Sequence, residues 1–190
     1  MRLFIAVKLR KEVIAALCLV HNELKEKADK LRLIHPQNLH LTLFFLGNTP
    51  EIRIVEITKC LQDLGVSRLP FKLEFNNRWE MFETRNPAKI VWVGVKSDVA
   101  ALRKLQTMIA ATMHSLGFLR TEKIYIPHVT IARDVHFLAQ YTSKEIDNYL
   151  FITRIPEMLV NNFSLIESCV ENNKRIYKTI ATFDFGFSEK

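Results

Sequence analysis

Apolar positions along this chain repeat with two periods, and the places where the period changes divide it into strands and helices. Residues 2–8, RLFIAVK, are a short apolar run closed by charge, the pattern of a buried strand. Val13, Ile14, Leu17, Val20, Leu24, Ala28 and Leu31 then recur at helical spacing among Lys and Glu, which predicts an amphipathic helix over residues 11–31. Pro36 interrupts the chain, and a run rich in Leu, Phe and Thr predicts a strand over 39–46. Gly47-Asn48-Thr49-Pro50-Glu51 reads as a turn opening a helix that runs to about Leu64 and ends near Gly65. Phe71, Leu73 and Phe75 alternate with Lys72, Glu74 and Asn76, the period of a strand with one wet face over 70–77. Residues 78–88 read as a connection.

From there the layout starts again. A strand is predicted at 89–96, a helix from Asp98 to about Leu116 stopped by Gly117, and a strand at 126–132. Residues 134–141 read as a loop, and Thr142-Ser143-Lys144-Glu145 as a cap opening a short helix to about Phe151. Two last strands, 158–168 and 174–184, meet at the hairpin signal Glu171-Asn172-Asn173. Strand, helix and strand thus recur in the same order. His40 follows Phe4 by 36 residues and His128 follows Ile90 by 38. The repeat predicts one domain, residues 1–190, made of two similar lobes built around 1–77 and 89–190 that face each other across a pseudo-two-fold axis.

Both copies carry the same triplet in the same kind of strand: His40-Leu41-Thr42 within NLHLTLFFLG, and His128-Val129-Thr130 within IPHVTIAR. Side chains two apart on a strand share a face, so His40 and Thr42 project one way, as do His128 and Thr130, and the repeat predicts that all four line one cleft. Phe44 falls on the same face by alternation and is a candidate for stacking on a base. His21, on the first predicted helix, reads as a surface residue, and His114 as a structural one favoured by the helix dipole. His35, Arg85 and His136 fall in predicted loops and read as exposed residues that border the cleft at most.

Charge narrows the partners. The net charge is +7, from 27 Lys and Arg against 20 Asp and Glu, which favours polyanions, and the excess is shared by both halves rather than held in a tail. Cys18, Cys60 and Cys169 are scattered and odd in number, so neither a disulfide framework nor a zinc cluster is indicated. No stretch approaches the length of a membrane span, and the apolar run at the N-terminus is too short for a signal peptide, which predicts a soluble cytoplasmic protein.

An imidazole titrates near pH 6.5, so of two facing histidines one can be neutral and act as a base while the other is protonated and acts as an acid. In-line displacement at a phosphodiester needs that pair. Threonine hydroxyls beside them can hold non-bridging phosphate oxygens, and no metal is required. Neither motif has a second ligand at metal spacing, no Gly-x-Ser-x-Gly elbow is present, and five scattered glycines make no phosphate loop.

With these motifs the chain resembles the 2H phosphoesterases, in the LigT or ThpR branch of RNA 2′,3′-cyclic phosphodiesterases, also called 2′-5′ RNA ligases. The likeness runs through MRLFIAVKL, NLHLTLFFLG, KIVWVGV, LGF at 116–118, PHVTIAR and the closing strands with Phe163, Ser168 and Tyr177. It implies an α+β fold of antiparallel-rich sheet in two pseudo-symmetric lobes, with helices outside and a central cleft. It further implies that His40 protonates the departing 3′ oxygen of a 2′,3′-cyclic phosphate, that His128 activates water, and that Thr42 and Thr130 hold the phosphate. The product is then a 2′-phosphate, and attack by a 5′-hydroxyl would instead make a 2′-5′ linkage. No cofactor and no metal are implied, the partners are RNA ends carrying a cyclic phosphate, and a monomer is expected. Arg133 matches the family arginine after the second motif, but strict alternation faces it away from His128, and only a bulge would turn it into the cleft. Two alternatives stay open: the same chemistry on a small cyclic nucleotide or a 2′-5′ oligonucleotide, and an RNA-end-binding module without turnover.

Overall fold

The computed structural model describes residues 1–82, 87–97, 99–119, 124–141, 145–146 and 149–186. Its strands are β1 (Arg2–Lys8), β2 (Ala28–Leu33), β3 (His40–Asn48), β4 (Phe71–Leu73), β5 (Phe75–Met81), β6 (Ala88–Val95), β7 (His128–Phe137), β8 (Met158–Val160), β9 (Asn162–Glu171) and β10 (Lys174–Asp184). Its helices are α1 (Lys11–Lys25), α2 (Ile54–Val66) and α3 (Val99–Ser115). Eight strands make one antiparallel sheet in the order β10-β9-β1-β3-β7-β6-β5, with β2 pairing β7 beside that path, while β4 and β8 pair separately.

Alternation along the central strands decides the two sides of this sheet. Leu3, Ile5, Val7, Leu41, Leu43, Val129, Ile131, Leu165 and Phe183 face one side and form a single core with Val13, Leu17, Val20 and Leu24 of α1, Ile57 and Leu61 of α2, and Leu105 and Ile109 of α3. The opposite side carries both His-x-Thr pairs. A small second cluster of Phe4, Ala6 and Ile166, covered by Tyr177, seals that side in the β10-β9-β1-β3 half. This is why β1 is buried on both faces and reads as an unbroken apolar run.

The halves of the sheet are β10-β9-β1-β3 and β7-β6-β5 with β2, and they meet at the single residue pair Leu41 and Val129. They are not contiguous in sequence. The expected division at 1–77 and 89–190 is crossed twice, because β9 and β10 pair into the half that contains β1, and β2 and β5 into the half that contains β7.

Four local expectations change. The helix predicted to Leu31 stops at Lys25, and residues 28–33 become β2, an edge strand whose charged Asp29, Lys30 and Arg32 are exposed. Pairing with β7 outweighs a weak helical preference there. The strand predicted at 70–77 divides at Glu74 into β4 and β5, and the one at 158–168 divides at Asn161 into β8 and β9, so the small sheet and the large one share these chain segments. The connection 78–88 is β5 in its first four residues, with Trp79 fully buried and its indole N–H donating to the Ile146 carbonyl at 3.1 Å. The loop expected at 134–141 is strand as far as Phe137. The cap expected at Thr142–Lys144 and the helix start at Asp98 lie outside the described residues.

Candidate active site

Each motif strand carries a β-bulge at the same offset from its histidine. On β3, Thr42 pairs with Ala6 and Phe44 with Ile5, so two residues on β3 oppose one on β1. On β7, Thr130 pairs with Trp92 and Ala132 with Val91 in the same fashion. The burial patterns record the result: Leu43 and Phe44 are buried in succession, as are Ile131 and Ala132. A bulge reverses which face the later residues occupy. The fifth residue after each histidine therefore joins the His-x-Thr face: Phe45 in one copy and Arg133 in the other.

This meets the condition that alternation set for Arg133, whose positive charge reaches both imidazoles and lowers the pKa of each. It overturns the reading of Phe44. That ring is only 5% exposed, turned into the core with its centroid 5.9 Å from that of His114. Phe45 takes the place assigned to it, 64% exposed and packed beside Phe4. A paired bulge gives no sequence signal beyond two successive large apolar residues after the triplet.

The two histidines are held alike. His40 Nδ1 donates to the Asn38 carbonyl at 2.7 Å and His128 Nδ1 donates to the Ile126 carbonyl at 2.7 Å, each two residues upstream. This bond fixes the tautomer and leaves Nε2 for chemistry. In the neutral state of His40, the Thr42 hydroxyl donates to that Nε2 at 3.0 Å. Each ring also rests on two aromatics. His40 lies 4.9 Å from Phe4 and 5.1 Å from Tyr177, while His128 lies 5.0 Å from Phe82 and 5.4 Å from Trp92, between ring centroids. Gly94, paired with His128, keeps that side shallow, since a Cβ there would stand 2.6 Å from the Asn76 amide nitrogen.

Burial pushes both imidazole pKa values down, and the main-chain acceptors offset this only in part. For His40 the charges of His128 and Arg133 add to the downward shift, so the two motifs sense each other. A further tie joins the halves of the sheet: the hydroxyl of half-buried Tyr125 donates to the Thr42 carbonyl at 3.0 Å, and desolvation raises its pKa, keeping it a donor. On the core side of the sheet, His21 is 4% exposed rather than on the surface. Its ring hydrogen-bonds the carbonyl of the bulge residue Ile131, which also accepts from the Ile34 N–H at 2.9 Å. His114 is packed at the end of α3 as expected for a structural residue. His35 is exposed and caps the turn at Pro36–Asn38, His136 is half-buried in β7 rather than in a loop, and Arg85 lies outside the described residues.

A family model described as the 2′-5′ RNA ligase superfamily matches residues 12–167. The chain belongs to that superfamily. It is 29% identical over 157 residues to an Aquifex aeolicus protein named RNA 2′,3′-cyclic phosphodiesterase, covering 80% of this chain and 81% of the relative. A protein of that name from Archaeoglobus fulgidus is 28% identical, covering 97% of this chain and all of the relative. Among solved structures, a Thermus thermophilus protein superposes over both full chains with a TM-score of 0.81 at 23% identity. Escherichia coli LigT crystallised with 3′-AMP gives 0.78 at 19% identity over 97% of each chain. This superfamily member thus has the α+β, antiparallel fold of the LigT-like 2H phosphoesterases.

Proposed function

We propose that this chain hydrolyses the 2′,3′-cyclic phosphate at RNA 3′ ends to a 2′-phosphomonoester by acid-base catalysis between His40 and His128. The observation that carries the reading is the juxtaposition at the Leu41 and Val129 pair: two His-x-Thr strands side by side, both imidazoles presented by the same main-chain bond. Relatives named for this activity support the choice of substrate.

In the proposed reaction the phosphate sits between the imidazoles. His128 takes a proton from water as the water attacks phosphorus, and His40 gives a proton to O3′ as the phosphorus to O3′ bond breaks, leaving the phosphate on O2′. Thr42 and Thr130 donate to the non-bridging oxygens, and the Arg133 guanidinium balances the charge that builds on them. The free site disfavours protonated imidazole, and the bound phosphate anion supplies the opposite field, raising the pKa of the acid when substrate arrives. Phe45, exposed and packed against the Phe4 ring that itself lies against His40, offers the ring that stacks on the terminal base. With a 5′-hydroxyl in place of water, the same steps would form a 2′-5′ bond, His128 taking the proton of the attacking oxygen and His40 protonating O3′ as the phosphorus to O3′ bond breaks.

The test is turnover, with EDTA present, of a short RNA ending in a 2′,3′-cyclic phosphate. Removing one general acid or base costs about 10²–10⁴-fold. His40→Ala and His128→Ala are each expected to lose at least that much, with the intact protein releasing only the 2′-phosphate isomer. A 3′-phosphate product, or undiminished turnover in either variant, would overturn the assignment.

A further inference from the structure

Beyond the reacting phosphate, we infer a second phosphate-binding subsite on the β1-β9-β10 shelf, formed by Lys8 and Arg175, that takes the phosphodiester 5′ to the terminal nucleotide and makes the preferred substrate an RNA strand rather than a mononucleotide. This rests on the reading above, in which His40 serves O3′ and His128 serves water. In-line geometry then puts the attacking water at the β7 side of phosphorus and the nucleoside at the β3 side. The rest of the strand leaves the cleft over the half of the sheet that holds His40.

That half carries a bracket of cations around one ring. The Tyr177 ring stands edge-on to His40 at 5.1 Å. Thr179 and Arg175 lie two residues to either side of Tyr177 on β10 and therefore share its face. Lys8, the cross-strand partner of His40, reaches over to give Nζ to the Thr179 hydroxyl at 3.3 Å. From the other side, Arg175 donates to the Ser168 hydroxyl at 2.7 Å. Both cations are exposed and give these hydrogen bonds to hydroxyls, and among the described residues neither is ion-paired with a carboxylate. By contrast, Lys178 on the opposite face of the same strand is paired with Glu171. The shelf is also fixed to the catalytic strand, because the Asn38 side-chain amide donates to the Arg175 carbonyl at 2.9 Å while the Asn38 carbonyl holds His40. Two cations one ring outward from the acid, with an aromatic between them, are the elements that track a single-stranded backbone.

The experiment compares kcat/KM for adenosine 2′,3′-cyclic phosphate with that for a five-nucleotide RNA ending in the same group, in the intact protein and in Lys8→Ala, Arg175→Ala and the double variant. The intact protein is expected to favour the oligonucleotide at least tenfold, and the double variant to lose most of that preference. Because two phosphate contacts on a single strand contribute about 1.4 to the dependence of log affinity on log salt, the slope for the oligonucleotide should fall by about that amount in the double variant. Binding of a fluorescent five-nucleotide RNA ending in a 2′-phosphate, read by anisotropy, measures the subsite without turnover. If the double variant keeps the wild-type substrate ratio and salt slope, or binds the labelled RNA as tightly as the intact protein, the subsite is overturned. If the intact protein turns over neither substrate but the double variant binds the RNA more weakly, the subsite stands and the assigned reaction does not.

Discussion

Phe44 and Phe45 are neighbours in sequence with opposite surroundings, and substitution should separate them. Phe44 lies in the core, where removing a phenyl ring costs about 3–5 kcal/mol, so Phe44→Ala should lower the urea midpoint sharply. Phe45→Ala should leave that midpoint nearly unchanged and raise KM for an RNA cyclic phosphate, by up to the roughly 1–3 kcal/mol that stacking on one base is worth. Equal effects on stability would contradict the bulge in β3. The imidazoles give a second expectation at this scale. Their folded pKa values lie below the ordinary 6.5, and kcat/KM reports the free protein. The bell-shaped profile should therefore peak on the acid side of 6.5, and Arg133→Gln, which removes a cation from both rings, should move the peak upward.

Among the elements, β7 depends most on its surroundings. Its bulge carbonyl at Ile131 is held by His21 and the Ile34 N–H, so a residue on α1 and one beyond β2 together fix the turn that brings Arg133 to the cleft. Burial lowers the His21 pKa below its unfolded value. The unfolded chain thus binds the extra proton, and the stability tied to neutral His21 is complete above about pH 6.5 and erodes as the pH falls from there toward the folded value. Thermal melts should show Tm dropping between pH 7 and 5, with a shallower slope in His21→Gln.

What sequence could show follows the same physics. β1, β3, α2, β6 and the β9-β10 hairpin were legible because their periods are set by burial within the element itself. The hairpin turn at Asn172-Asn173, both with positive φ, follows from residues that tolerate that conformation. β2 was not legible, since residues 28–33 become strand only because β7 offers an edge. Nor were the bulges, which arise between strands. So His40, Thr42, His128 and Thr130 could be placed together from the pattern, Arg133 only conditionally, and Phe45 and the buried His21 not at all.

Across the whole molecule, the two halves of the sheet meet at one paired residue on each side, Leu41 and Val129, and the two His-x-Thr pairs flank that narrow join. The Tyr125 hydroxyl reinforces it by bonding the Thr42 carbonyl from the segment that leads into His128. Tyr125→Phe removes one hydrogen bond, worth about 0.5–1.5 kcal/mol. The expected outcome is a small loss of stability with a larger fall in kcat, because the spacing of the histidines is set there. A fall in kcat no greater than the stability change predicts would mean that other contacts set the spacing.

The paired bulges act on the strand as a frameshift acts on a message. Each strand is written in a two-letter frame, inward and outward, and one inserted residue moves everything downstream into the other frame. Pairing β7 without the bulge at unchanged length would restore the original frame, sending Arg133 toward the core while leaving His128 and Thr130 in place. Such a protein would keep both imidazoles and lose the cation whose field reaches each of them. Deleting Ala132 as well would make Arg133 the fourth residue after His128 and return it to their face, so one residue of strand length, as much as the arginine itself, decides whether the charge is there.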